Sequence, residues 1–151
     1  MNEINANYFV TAETIARQAH TGQKDQAGMD YIDHPRRVAA HFDPVTQPDE
    51  TAVAWLHDVL EDTSISAEDL LASGIPLNVV DAVQLLTKDA RETDLGAYYA
   101  RIRTHPLALA VKAADIDDNT DPSRSALLDP EVRNRLAKKY AKAREALGLV
   151  S

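Results

Sequence analysis

Cysteine is absent from the 151-residue chain, which excludes disulfides and thiolate metal sites alike, so any metal here must be held by nitrogen and oxygen. That absence fits a reducing, cytoplasmic setting. Long apolar runs are also missing: no stretch approaches the roughly 20 residues that span a bilayer. Met1-Asn2-Glu3-Ile4-Asn5 has neither the positive start nor the apolar run of a signal peptide, so no membrane partner is expected. Positive charge is scarce. Sixteen Lys and Arg face 24 Asp and Glu, for a net charge of -8, which argues against binding a nucleic-acid polymer. A small anionic ligand stays open, because a bound cation can invert the local potential. An acidic protein acting on phosphates is therefore expected to carry a metal.

What is present reads as an ordinary globular chain, 44% hydrophobic and 26% charged, and residues 1–151 are expected to form a single domain. The pattern is helix after helix, divided by Pro, Gly and Asx residues. A first helix is predicted over Asn7 to His20, and Gly22 to Asp30 reads as a loop. A second helix opens near Pro35 and a third at Pro48-Asp49-Glu50, the latter carrying Val53 through Leu60. Ser66-Ala67-Glu68-Asp69 has the form of a capping box, with Gly74 closing its short helix. Further helices are expected after Pro76, over Leu95 to Arg103, over Pro106 to Asp117, and from Pro130 to Leu147. No segment alternates with the period of two of a half-buried strand. The fold class is all-α.

One stretch carries chemistry: Ala54-Trp55-Leu56-His57-Asp58-Val59-Leu60-Glu61-Asp62-Thr63 places four polar residues at the end of an apolar helix. Burying such groups costs several kcal/mol each unless something pairs them. In a continuous helix His57 and Glu61 share a face, as do Asp58 and Asp62. His57 and Asp58 then lie about 100° apart around the axis, and meet one ion only in the wedge between them. Other helices must supply the remaining ligands. His34, before Pro35 at a helix start, and Asp115, an isolated acid ending an apolar run, are the candidates. Two imidazoles and two carboxylates suit Mn²⁺, Fe²⁺, Zn²⁺ or Co²⁺ better than Ca²⁺. Glu61 and Asp62, one turn on, are placed to handle protons. His20, His41 and His105 have no motif around them, and Trp55 reads as core.

Three blocks occur in order: Tyr31-Ile32-Asp33-His34-Pro35, then Leu56 to Thr63, then Val111-Lys112-Ala113-Ala114-Asp115 through Asn119. Together they resemble the hydrolase domain of the Rel/SpoT alarmone enzymes and their small stand-alone relatives, within the HD-domain phosphohydrolases. The resemblance runs from His20-Thr21-Gly22-Gln23 to about Tyr140. It implies a compact multi-helix HD fold with one Mn²⁺ held between helices by His34, His57, Asp58 and Asp115. It implies that Glu61 and Asp62 orient and deprotonate the attacking water, and that Lys112, Asn119, Arg135 and Tyr140 lie near a small nucleotide substrate. The implied reaction removes pyrophosphate from the 3′ position of guanosine tetra- or pentaphosphate, as in the stringent response.

The chain departs from that pattern in places. Asp25-Gln26-Ala27-Gly28 stands where the family has Arg-Lys-Ser-Gly with a guanine-stacking Arg. Asp117-Asp118 replaces Leu-His before Asn119, and Asp121 replaces an Arg. These changes spare the metal residues and bear on base recognition. Two alternatives follow: an HD phosphohydrolase for another nucleotide or a nicotinamide dinucleotide phosphate, and a nucleotide sensor without turnover.

Overall fold

The computed structural model describes residues 7–25, 27–88 and 93–149. Among them are ten helices: α1 (Tyr8–Ala19), α2 (Asp33–Ala39), α3 (Pro48–Leu56), α4 (Val59–Asp62), α5 (Ala67–Ala72), α6 (Leu77–Leu86), α7 (Leu95–Arg103), α8 (Pro106–Asn119), α9 (Pro122–Ser125) and α10 (Pro130–Leu147). The only extended pairing among these residues is an isolated bridge between Lys24 and Asp30. No helix of the described residues is long and apolar enough to cross a membrane.

The organising element is α3. All six residues from Thr51 to Leu56 are buried, because the helix packs against α1, α2, α6 and α8. A helix surrounded in this way has no polar face to present, and past its acidic first turn its sequence, Ala52 to Leu56, supplies none. Ala52 and Ala54 on α3, with Ala12 and Ala16 on α1, are fully buried small residues that let backbones approach. Val53, Leu56, Val79, Val83, Ile102 and Val111 fill the centre with no exposed surface, each contributing about 1.5–3 kcal/mol by leaving water.

Start and stop signals act much as the sequence predicts. Ser66 and Asp69 exchange side-chain-to-backbone hydrogen bonds in a full capping box. Pro48, Pro106 and Pro130 open their helices, where a missing N–H leaves no orphan. His105, which the sequence leaves without a role, caps α8: its Nδ1 accepts the Ala108 N–H. The last helix ends at Gly148 with φ +74, a conformation that favours glycine.

Two differences from the sequence reading matter for the site. The predicted third helix is two helices. Its ladder stops at Leu56, Asp58 adopts φ -109 and ψ 0, and a short α4 begins at Val59. In addition, α9 forms where nothing was expected, because Asp121 accepts the Ser123 N–H as its cap.

Candidate active site

The break between α3 and α4 decides where two side chains point. In an unbroken helix His57 and Asp58 diverge; with Asp58 in the bridge region of backbone space, both turn toward α2 and α8. His57 Nδ1 donates to the Ala54 carbonyl at 2.6 Å, which leaves Nε2 as the working nitrogen. That atom lies 3.1 Å from Asp58 Oδ2, 3.4 Å from Asp115 Oδ1 and 3.3 Å from His34 Nε2. His34 Nε2 is in turn 2.8 Å from Asp115 Oδ1 and 3.9 Å from Asp58 Oδ2. Four side chains from α2, the α3–α4 break and α8 thus converge on one point.

Two bare imidazole nitrogens do not face each other at 3.3 Å unless a proton or a cation separates their lone pairs. The donor set, two neutral nitrogens and two carboxylates, fits a divalent ion. Bonds of about 2.1 Å to a common centre would place donors roughly 3 Å or slightly more apart. His34, His57 and Asp58 offer ligand atoms that all lie within 4.8 Å of one another, and Asp115 adjoins them.

Without an ion, protons balance the cluster. Burial alone would lower the His34 and His57 pKa values, yet neighbouring carboxylates outweigh it: Asp115 and Asp118 raise His34, and Asp58 and Asp115 raise His57 well above its usual value. Conversely, burial would raise Asp58 and Asp115. The charge of His57 brings Asp58 down instead, and the ammonium of Lys112 with the two imidazoles brings Asp115 well down.

A second tier holds this cluster. The Tyr31 hydroxyl donates to Asp58 Oδ2. Lys112 Nζ, on the α8 turn before Asp115, lies 3.0 Å from Asp115 Oδ2 with its side chain only 16% exposed. Asn119 Nδ2 donates to Asp115 Oδ1 at 3.1 Å. His34 Nδ1 meets Asp118 Oδ2 at 2.6 Å, and Asp118 is further bound by Arg37 and Arg124.

The cluster lies at one wall of a cavity of about 660 Å³. Among the described residues, six basic ones line it: Lys24, Arg37, Lys88, Lys112, Arg124 and Lys139. Lys88 and Lys112 both sit over the Tyr98 ring, at 5.7 and 5.9 Å from its centroid, and Lys139 sits over Tyr140 at 5.2 Å. Burial, with the charges of Lys88 and Lys112, lowers the Lys139 pKa. Three ammonium groups held this close in an acidic protein make a wall suited to a polyanion. Leu86, Leu127, Leu128 and Leu136 supply an apolar portion.

Of the residues singled out in the sequence, His34, Asp58, Glu61, Lys112, Asp115, Asn119 and Tyr140 line this cavity. His57 lies buried directly behind. Glu61 Oε1 accepts the Lys88 N–H at 2.9 Å. Asp62 is not among the lining residues; it accepts from Gln23 Nε2 at 3.2 Å, and Gln23 lines the cavity. Arg135 is exposed and outside the lining; Lys139, one turn along the same face of α10, lines the cavity where Arg135 was expected.

The sequence reading gave no role to Lys88, Lys139, Arg37, Arg124 or His20. His20 is buried, its Nδ1 is 2.8 Å from Gln23 Oε1, and Gln23 reaches Asp62. The block His20-Thr21-Gly22-Gln23 was the available signal. Asp25, at the site of the missing Arg, serves its own loop: Oδ1 accepts the N–H groups of Ala27 and Met29, both at 2.9 Å. Gln26 lies outside the described residues.

No protein-family model matches the chain. Among curated proteins, the guanosine-3′,5′-bis(diphosphate) 3′-pyrophosphohydrolase of Haemophilus influenzae is 34% identical over 134 residues, covering 82% of this chain and 20% of that protein. Its counterpart in Vibrio cholerae is 31% identical over 147 residues, covering 89% and 21%. The bifunctional (p)ppGpp synthase/hydrolase SpoT of Escherichia coli is 31% identical over 135 residues, covering 84% and 19%. The chain spans about a fifth of the length of these relatives. Among solved structures, a metazoan ortholog of SpoT that hydrolyses ppGpp superposes with a TM-score of 0.76 at 24% identity, covering 92% of this chain and 84% of that one. That likeness establishes the fold.

Proposed function

We propose that this chain, a homologue of one segment of the SpoT-type pyrophosphohydrolases, is a metal-dependent phosphohydrolase that removes pyrophosphate from the 3′ position of guanosine tetra- or pentaphosphate. The observation that carries this reading is the pairing of two opposed features in one cavity. At one wall stand two imidazoles and two carboxylates of metal-ligand type, His34, His57, Asp58 and Asp115; beside them stands a cationic wall of Lys88, Lys112 and Lys139. Mn²⁺ is the ion proposed for the ligand set. When bound, it supplies Lewis acidity toward water and a phosphoryl oxygen.

The chain's own side chains account for the rest. The three lysines offset the charge of the pyrophosphate and of the phosphorane-like transition state, in a site where such donors are worth more than in water. Glu61 is fixed through Oε1 by the Lys88 N–H, and its Oε2 is the oxygen that takes a proton from the attacking water. The same Lys88 therefore ties the base to the cationic wall. Asp62 is held by Gln23, itself set by His20, and acts beside Glu61 through the orientation of α4. Asn119 secures Asp115, and Tyr140 forms the far side of the cavity.

A second reading, hydrolysis of a different nucleotide by the same machinery, is favoured by one observation: Asp25 is spent on its own turn, so nothing at that position stacks on guanine. One experiment tests both. Purified protein with Mn²⁺ is given guanosine tetraphosphate, other nucleotides and a nicotinamide dinucleotide phosphate, and products are identified. Release of pyrophosphate from guanosine tetraphosphate, abolished by chelator, is the expected result. Cleavage of another substrate alone would move the conclusion to the second reading, and no cleavage of any would overturn both.

A further inference from the structure

His34 is gripped at both ring nitrogens by one helix. Asp115 and Asp118 are three residues apart on α8 and so share a face. Asp115 Oδ1 lies 2.8 Å from Nε2 and Asp118 Oδ2 lies 2.6 Å from Nδ1. We infer that Asp118 is a positioning residue for the metal site: it holds the proton of His34 on Nδ1, fixes the ring plane, and thereby presents Nε2 as the ligand atom.

Three observations exclude a direct role as ligand and support this one. Asp118 lies on the far side of the imidazole from His57 and Asp58, since the two nitrogens of the ring face opposite ways. Its oxygens are fully engaged: Oδ1 accepts from Arg37 Nε at 2.8 Å and Arg124 Nη2 at 2.5 Å, and Oδ2 accepts from His34 and from Arg37 Nη2 at 3.2 Å. It is also 4% exposed, and the two guanidinium groups balance a charge that would otherwise be buried alone. Arg124 adds a bond of 2.7 Å to the Asp118 carbonyl, so the carboxylate is fixed by backbone as well as by charge.

The two candidate imidazole ligands are thus oriented by unequal partners. His57 Nδ1 meets a neutral carbonyl, whereas His34 Nδ1 meets a carboxylate. A carboxylate behind an imidazole makes its other nitrogen a stronger donor to a metal. Asp117-Asp118, which the sequence suggests as a change in base recognition, becomes in part a feature of the metal site. This inference rests on the proposed ligand set but not on the identity of the substrate.

The test is metal affinity, measured without substrate by competition with a chromogenic chelator, for Mn²⁺ and for Zn²⁺. Asp118→Asn keeps the shape and removes the charge, and is expected to weaken binding about 10–100-fold, the usual cost of losing such a partner. In the Zn²⁺-loaded wild type, the proton on His34 Nδ1 should resonate downfield of its His57 counterpart, and in Asp118→Asn it should move upfield. Unchanged affinity and an unmoved proton, with only a lower melting temperature, would reassign Asp118 to tying α2 to α8 and overturn the inference alone. Wild type that binds neither ion would overturn the ligand set as well. If the variant does not fold, the wild-type spectrum still decides, because a proton on Nε2 or ligation through Nδ1 would refute the inference.

Discussion

Replacing Lys112 by Met separates two effects that usually move together. The ammonium sits 3.0 Å from Asp115 Oδ2 and its side chain is 16% exposed, with the Tyr98 ring below it. Breaking a buried ion pair typically costs about 3–5 kcal/mol. Here Asp115 keeps Asn119 and two imidazoles as partners, so about 2–4 kcal/mol is the expected loss in metal-free protein. For a chain of this size that corresponds to roughly 4–16 °C in melting temperature. Metal affinity should move the other way. A unit positive charge beside a ligand carboxylate repels a divalent ion, and even with strong screening its removal is worth about 1.4 kcal/mol or more, a tenfold tightening. Lys112→Met should therefore melt well below wild type in chelator and approach it in excess Mn²⁺. If the gap between variant and wild type is the same with and without Mn²⁺, and the Mn²⁺ dissociation constant is unchanged, the placement of the ion beside Asp115 is wrong.

The acids of α4 are expected to differ. Glu61→Gln, at the cavity wall, should lower kcat by about 10²–10⁴ with Mn²⁺ binding intact, whereas Asp62→Asn, one residue behind the lining and bound to it through Gln23, should lose less; a larger loss at Asp62 in steady-state assays would reverse their roles. Stability of metal-free protein should depend on pH in a definite direction. Because His34 and His57 are raised above 6.5 in the fold, their contribution is complete below about pH 6.5 and is lost as pH rises through the raised values. Asp58 and Asp115, lowered from 3.8, contribute above that value and lose their contribution only in strong acid. Chelated protein should accordingly resist urea better near about pH 6 than near about pH 8.5. Mn²⁺, which must displace those protons, should stabilise more at the higher pH; a flat profile with chelator would refute the proton-filled cluster.

The helices were legible because their ends are written in local chemistry: Pro48, Pro106 and Pro130 at first turns, Ser66 with Asp69, and Gly148 after the last turn each act through neighbours within a few residues. What failed was continuity. Nothing between Leu56 and Val59 breaks a helix by propensity, and the interruption at His57-Asp58 is set by tertiary partners: Tyr31, His34 and Asp115 reward a backbone that aims two adjacent side chains at one point. The sequence places His57 and Asp58 about 100° apart on one helix, meeting an ion only in the wedge between them; the fold brings them together by interrupting the helix there instead. Arg135 against Lys139 shows a related limit. The two are four apart on one face of α10, so periodicity assigns them alike, and only the depth of that helix against α7 and α8 selects Lys139 for the cavity.

Asp118 marks the opposite case, a residue whose need for a partner is visible in its own helix. Lys112, Asp115 and Asp118 recur every three residues along α8, the first turned to Tyr98 of α7 and the other two to α2, and an apolar helix buries three charges in a row only if each has its counter-charge. Asp115 meets this need with Lys112 and the two imidazoles, and Asp118 is subject to the same rule. Its partners are one imidazole and two arginines, Arg37 on α2 and Arg124 on α9, a helix that Asp121 caps and Pro122 opens. Asp121 and Asp118, two substitutions that look independent in sequence, are in this way parts of one device: the first builds the short helix that carries Arg124, and Arg124 then balances the second against His34.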